Sequence, residues 1–118
     1  GALESIMVSR AFTQVRDDQQ LAATATDILA NTDLDRAPGP GAVGIWIISD
    51  QVDSRATVRL GSRQVASDIT VPTGTLIDTD QVPFAMQAVR GGEKIVVDVV
   101  EVSPMAMHVT TVWTGLAN

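Results

Sequence analysis

Cysteine and tyrosine are missing from this chain, and histidine and lysine occur once each, as His108 and Lys94. Without a thiol, disulfides and zinc-thiolate centres are excluded, and the redox compartment is left open. Most acid-base and nucleophilic schemes place His, Cys, Lys or Tyr beside a partner, which reduces the catalytic repertoire to His108 with a neighbouring Ser or Thr. Aromatics make up 3% of the 118 residues, two Trp and two Phe. That is too few for a sugar-cleaving site, whose acid needs an apolar and usually aromatic surrounding. Bases are scarce as well, 8 against 14 acids, for a net charge of −6. The arginines are scattered singly, so the clustered Lys/Arg footprint of a nucleic-acid binder is lacking and no nucleic acid is expected as partner. No apolar run approaches the roughly 18 residues of a membrane span, and no basic segment leads into an apolar one at the N-terminus. Neither a span nor a retained signal peptide is expected. The chain reads as soluble and opens on Gly1 rather than Met, as a processed chain would.

What the chain has in quantity is β-branched residues: 16 Val, 8 Ile and 12 Thr. Such side chains lose freedom in helices and pack well on pleated sheets, so one all-β domain is the first expectation. Residues 2 to 15 carry Leu3, Ile6, Met7, Ala11 and Val15 at spacings of three and four, widened by Val8 and Phe12. This is a helix-like period, although an extended arm also accommodates it. Arg16 to Gln20 is a polar break, and Leu21 to Leu29 reads as a strand with one small-residue face. Ala37 to Gly41, with two prolines and two glycines, is the clearest loop. Val43 to Ser49 is apolar on both parities, as in a central strand covered on both faces, with Trp46 expected in the core. Arg55 to Leu60 alternates without exception, and Gly61-Ser62 has the form of a tight hairpin connection.

Past Pro72-Thr73-Gly74, Thr75 to Ile77 is a short apolar piece and Asp78 to Asp80 a turn. In Gln81 to Arg90 the proline at 83 argues for an edge strand or an irregular crossing. Glu93 to Val102 is the longest β signal, where a bulge near Val99-Val100 is expected to switch the core-facing set. Met105 to Trp113 alternates with His108, Thr110 and Thr114 in a last strand. Seven or eight strands with regular turn signals predict an antiparallel β-sandwich, with jelly-roll topology, over residues 16 to 118, preceded by an arm or short helix over residues 1 to 15.

Candidate chemistry is thin. His108 shares a strand face with Thr110 and Thr114, the position of a half-exposed strand histidine. A single histidine does not make a zinc site. Asn31, Asp33 and Asp35 match the first three ligand positions of a calcium-binding loop, but Arg36 stands where Gly is needed and Ala42 where a bidentate Glu is needed. Asp78 and Asp80 form a second acidic pair, and turn carboxylates bonding their own backbone account for both. Gly39-Pro40-Gly41 lacks the lysine and the following helix of a phosphate-binding loop. No catalytic residue, cofactor or metal is expected. Large apolar side chains at the centre of an interface dominate association, which singles out Leu3, Ile6, Met7 and Phe12 of the arm, with Trp113, as the expected assembly interface.

Three stretches carry a resemblance: the Asn31 to Asp35 end of a Thr/Ala-rich strand, Pro38-Gly39-Pro40-Gly41 leading into an apolar strand, and Gly91-Gly92-Glu93-Lys94 opening Ile95 to Val102. In this punctuation the chain resembles the small single-jelly-roll or β-sandwich structural proteins of bacteriophage virions, capsid decoration proteins included. The resemblance implies a non-enzymatic virion subunit that forms a homo-oligomer and contacts a major capsid protein. The alternative is a secreted β-sandwich module that binds a glycan or a protein ligand.

Overall fold

The computed structural model describes residues 12–100 and 106–116, and every regular element among them is a β-strand. The strands are β1 (Phe12–Leu21), β2 (Gly41–Ser49), β3 (Arg55–Leu60), β4 (Arg63–Thr70), β5 (Ala85–Val89), β6 (Ile95–Val100) and β7 (Met107–Leu116). They form two antiparallel sheets, one of four strands in the order β1-β7-β2-β5 and one of three in the order β4-β3-β6.

One continuous apolar cluster lies where the inward faces meet. Val43, Ile45 and Ile47 of β2 and Met107, Val109 and Trp113 of β7 come from the larger sheet. Ala56, Val58 and Leu60 of β3 and Ile95, Val97 and Val99 of β6 come from the smaller one. The strict alternation of β3 survives unchanged in its burial, with Arg55, Thr57 and Arg59 turned outward. Gly61 and Ser62 join β3 to β4, and Gly61 sits at φ +62° in the first turn position, where a II′ hairpin needs a residue without a Cβ. Ser49 and Ser54 are fully buried beside the β2–β3 connection and meet each other at 3.0 Å, so neither hydroxyl enters the core unpaired.

Several expectations change. The described part of the arm, Phe12 to Val15, is strand and not helix, and the polar break at Arg16 to Gln20 is the middle of that same strand. Among the described residues β1 is an edge strand paired only with β7, so a polar sequence suits it. It also runs unbroken across the expected domain boundary at residue 15. Leu21 to Leu29 is not a strand. After Leu21 the chain crosses to the smaller sheet and runs beside β6, touching it at Ala25↔Val99 and Arg36↔Lys94. Between those contacts it coils enough to bury Leu29 and Leu34 completely. Asp27 and Asn31 take positive φ there, which Asp and Asn tolerate better than other side chains. The bulge expected in β6 is not there: its register with β3 is continuous, with Ile95, Val97 and Val99 all inward. The irregularity lies in β4, where Asp68 takes φ +51° and the register with β3 shifts around Ala66. That shift buries Ala66 and leaves Ile69 half in solvent.

Candidate interaction surface

The outer face of the four-stranded sheet is a grid set by the pairing register. Gln14, Thr114, Ala42 and Ala88 form one row, and Arg16, Val112, Gly44 and Met86 the next. Asp18, Thr110 and Trp46 form a third, and Gln20, His108 and Ile48 a fourth. Trp46 therefore points away from the core, against expectation. Adjacent strand residues alternate faces, and Ile45 and Ile47 take the inward positions on either side. The signal that marks Trp46 is Gly44, two residues earlier on the same face, where an added Cβ would come within 2.8 Å of the indole.

A strap from Pro72 to Phe84 covers the lower two rows. Its first end is fixed by β2: Ser49 N–H donates to the Pro72 carbonyl at 3.0 Å and Gly74 N–H to the Ser49 carbonyl at 2.8 Å. Its second end is held by the Trp46 indole N–H, which donates to the Gln81 carbonyl at 2.9 Å. Between these ties the Asp78 carboxylate accepts the backbone N–H of Asp80 at 2.9 Å, so the acidic pair at 78 and 80 closes its own turn. Leu76 and Val82 stand out of this strap with 85% and 90% of their surface exposed. Isolated exposed apolar residues are ordinary, but two large ones flanking a groove are not scattered singly.

The groove holds about 390 Å³ and is lined by Trp46, Ile48, Leu76, Val82, Pro83 and Phe84, with Asp78 on its rim. That volume sits at the low end of the roughly 300–1,000 Å³ typical of binding pockets. On the other side of Leu76 and Ile77 lies a polar hollow of about 340 Å³ lined by Arg16, Asp18, Gln20, Thr75, His108 and Thr110. Its charges are already engaged: Arg16 holds Asp18 at 3.0 Å, and the Thr110 hydroxyl donates to the same carboxylate at 2.6 Å. Arg16 first and Thr110 second keep the Asp18 carboxyl below its ordinary pKa.

A third hollow, of about 530 Å³, lies beside the Gly61-Ser62 turn. There Glu93 accepts the Arg90 backbone N–H at 2.8 Å and the Arg63 guanidinium at 3.1 Å, and these hold its carboxyl low. Of the Asn31, Asp33 and Asp35 run, Asp35 is engaged by Lys94 and not by its own backbone, against expectation. Asp35 and Asp27 both pair with Lys94, which clips the residue 25–36 segment to the start of β6, and Asp98 of β6 accepts the Asp27 backbone N–H at 2.8 Å. Among the described residues no three His, Asp or Glu side chains converge on one point.

Of the expected assembly residues, Leu3, Ile6 and Met7 lie outside the described residues. Phe12 opens β1 opposite Leu116. Trp113 is no surface anchor: it is 4% exposed, and its indole N–H donates to the Gly39 carbonyl at 3.0 Å, tying the Pro-Gly loop to the core. Sequence reasoning missed Leu76 and Val82, since an apolar residue in an irregular strap has no period to betray its direction. No protein-family profile, curated protein or solved structure matches the chain.

Proposed function

We propose that this chain is a non-enzymatic structural subunit of a virus particle, a capsid or capsid-decoration protein, built on a jelly roll and acting through self-association and contact with a major capsid protein. The strand order carries the reading. Counting the residue 25–36 segment beside β6 as a second strand, the two sheets run 1-8-3-6 and 2-7-4-5. The hairpin partners are then 1·8, 2·7, 3·6 and 4·5, all antiparallel, as when one long hairpin is rolled up. Jelly rolls include viral capsid domains, alongside lectin and cupin domains, and the acidic surface and exposed apolar strap favour the first of these.

The surface supports association away from the β1 edge. Arg16, Asp17 and Asp18 run along that edge and guard it against strand pairing. The strap offers the opposite: burying an exposed Leu or Val side chain fully stabilises a complex by about 1.5–3 kcal/mol before the cost of association. The net charge of −6 suits an outward-facing layer better than one against a genome. Light scattering on the purified full chain across a concentration series tests the reading. The expected result is a defined oligomer or particle, and a monomer at every concentration overturns it.

The polar hollow favours a second reading, a module that binds a glycan through Gln20 and His108, beside the Arg16–Asp18 pair. A saturable saccharide titration abolished by Gln20→Ala would favour it over the first.

A further inference from the structure

We infer that the groove beneath the Pro72–Phe84 strap receives the N-terminal segment, residues 2 to 11, of a second copy of this chain. The inference rests on the self-association reading and names its contact. The segment matches the groove in chemistry: Leu3, Ile6, Met7 and Val8 are apolar, and Arg10 complements Asp78 on the rim.

Direction decides which copy is served. β1 starts at Phe12, opposite Leu116, whereas the groove lies beside Ile48, whose row reaches β1 at Gln20. Those positions are 8 residues apart along β1 (20 less 12), about 27 Å at strand rise. Eleven preceding residues span at most about 40 Å, so length alone permits a segment to fold back onto its own groove. To do so it must reverse at the start of β1. From Ala2 to Arg16 there is no Gly, Pro, Asn or Asp, and of the residues that favour tight reversals only Ser5 and Ser9 occur, whose hydroxyls support a turn more weakly. A segment continuing without reversal leaves its own sandwich at the end opposite the groove, and a neighbouring molecule is what it meets.

The absence of cysteine makes the test direct. Full-length Met7→Cys and Val82→Cys chains are mixed under oxidising conditions, and full-length Val82→Glu is compared with the parent by light scattering. Val82 is almost wholly exposed, so neither change at that position disturbs the core. The expected results are a disulfide joining the two different variants and association weakened at least tenfold in Val82→Glu. A Met7→Cys/Val82→Cys double variant that closes its disulfide within one chain overturns the inference in favour of the chain's own segment. A parent that assembles while Val82→Glu assembles equally and no mixed disulfide forms overturns the inference alone. A parent that never assembles removes the self-association reading with it.

Discussion

Thr110 and Thr111 are neighbours on β7 facing opposite ways, and their hydroxyls have opposite fates. Thr111 points into the core between Asp17 and Ile45 in the register, is fully buried, and its Oγ1 meets no hydrogen-bond partner among the described residues. Thr110 lies on the outer face and donates to Asp18 at 2.6 Å. Valine has nearly the shape of threonine without the hydroxyl, so the same change made at the two positions isolates what each hydroxyl does. Leaving a buried hydroxyl unpaired costs about 1–3 kcal/mol. Thr111→Val removes that penalty and should raise the unfolding free energy by about 1 kcal/mol, or roughly 3–6 °C in Tm for a domain of this size. Thr110→Val loses a bond to a carboxylate that stays partly hydrated, and should lower stability by about 0.5–1.5 kcal/mol. Urea unfolding followed by far-ultraviolet circular dichroism measures both, with the m-value expected to stay constant. A Thr111→Val protein less stable than the parent would refute the reasoning, as would two changes of the same sign.

Glycine replacements test the backbone. Gly61→Ala meets both the positive φ and the Glu93 carboxylate, 2.8 Å from the new Cβ, and should cost about 1 kcal/mol in the same assay. Gly115→Ala would set a methyl 2.3 Å from the Trp113 ring and 2.7 Å from the Pro40 carbonyl, so a loss of about 1–3 kcal/mol is expected from overpacking. Trp113→Ala should lose about 3–5 kcal/mol, and Trp113→Phe less, since only the latter keeps a ring against the core. Asp18, Asp68 and Glu93 carboxyls are held below their ordinary pKa by Arg16, Arg55 and the Arg90 backbone N–H respectively. Their stabilisation is therefore complete above the ordinary carboxylate range and is lost as pH falls through the lower folded values. Denaturation midpoints should hold level near neutrality and fall below about pH 4, less steeply in Asp18→Asn.

The elements legible beforehand were those whose environment is two-sided. β3 has one wet face and one buried face, so its alternation of Ala56, Val58 and Leu60 with Arg55, Thr57 and Arg59 reads directly. The Gly61-Ser62 turn is set by local chemistry alone. β2 is apolar on both parities because the core covers one face and the strap part of the other, though the covering element could not be named. β1 escaped notice because an edge strand hydrated along its middle needs no apolar pattern. The parity of β6 suggests a bulge only because Val96 and Val100 are apolar without being core, and none is needed. Hydrophobicity alone points Trp46 into the core, whereas its face is fixed by counting from Ile45. The interaction surface was the least legible part, because it depends on which loop crosses which strand, and only long-range pairing such as Ser49↔Thr73 decides that.

The lysine clip has a practical consequence for anyone probing assembly with amine-directed reagents. The single ε-amine of the chain belongs to Lys94, which is gripped by Asp35 and, at 3.2 Å, by Asp27. Those carboxylates hold the ammonium in its charged form, Asp35 most strongly, and acylating reagents attack only the neutral amine. Succinimidyl esters and glutaraldehyde should therefore modify Lys94 slowly and leave the α-amine as their readier target, so a lack of cross-links through Lys94 would be a property of one occupied side chain and carry no message about neighbours.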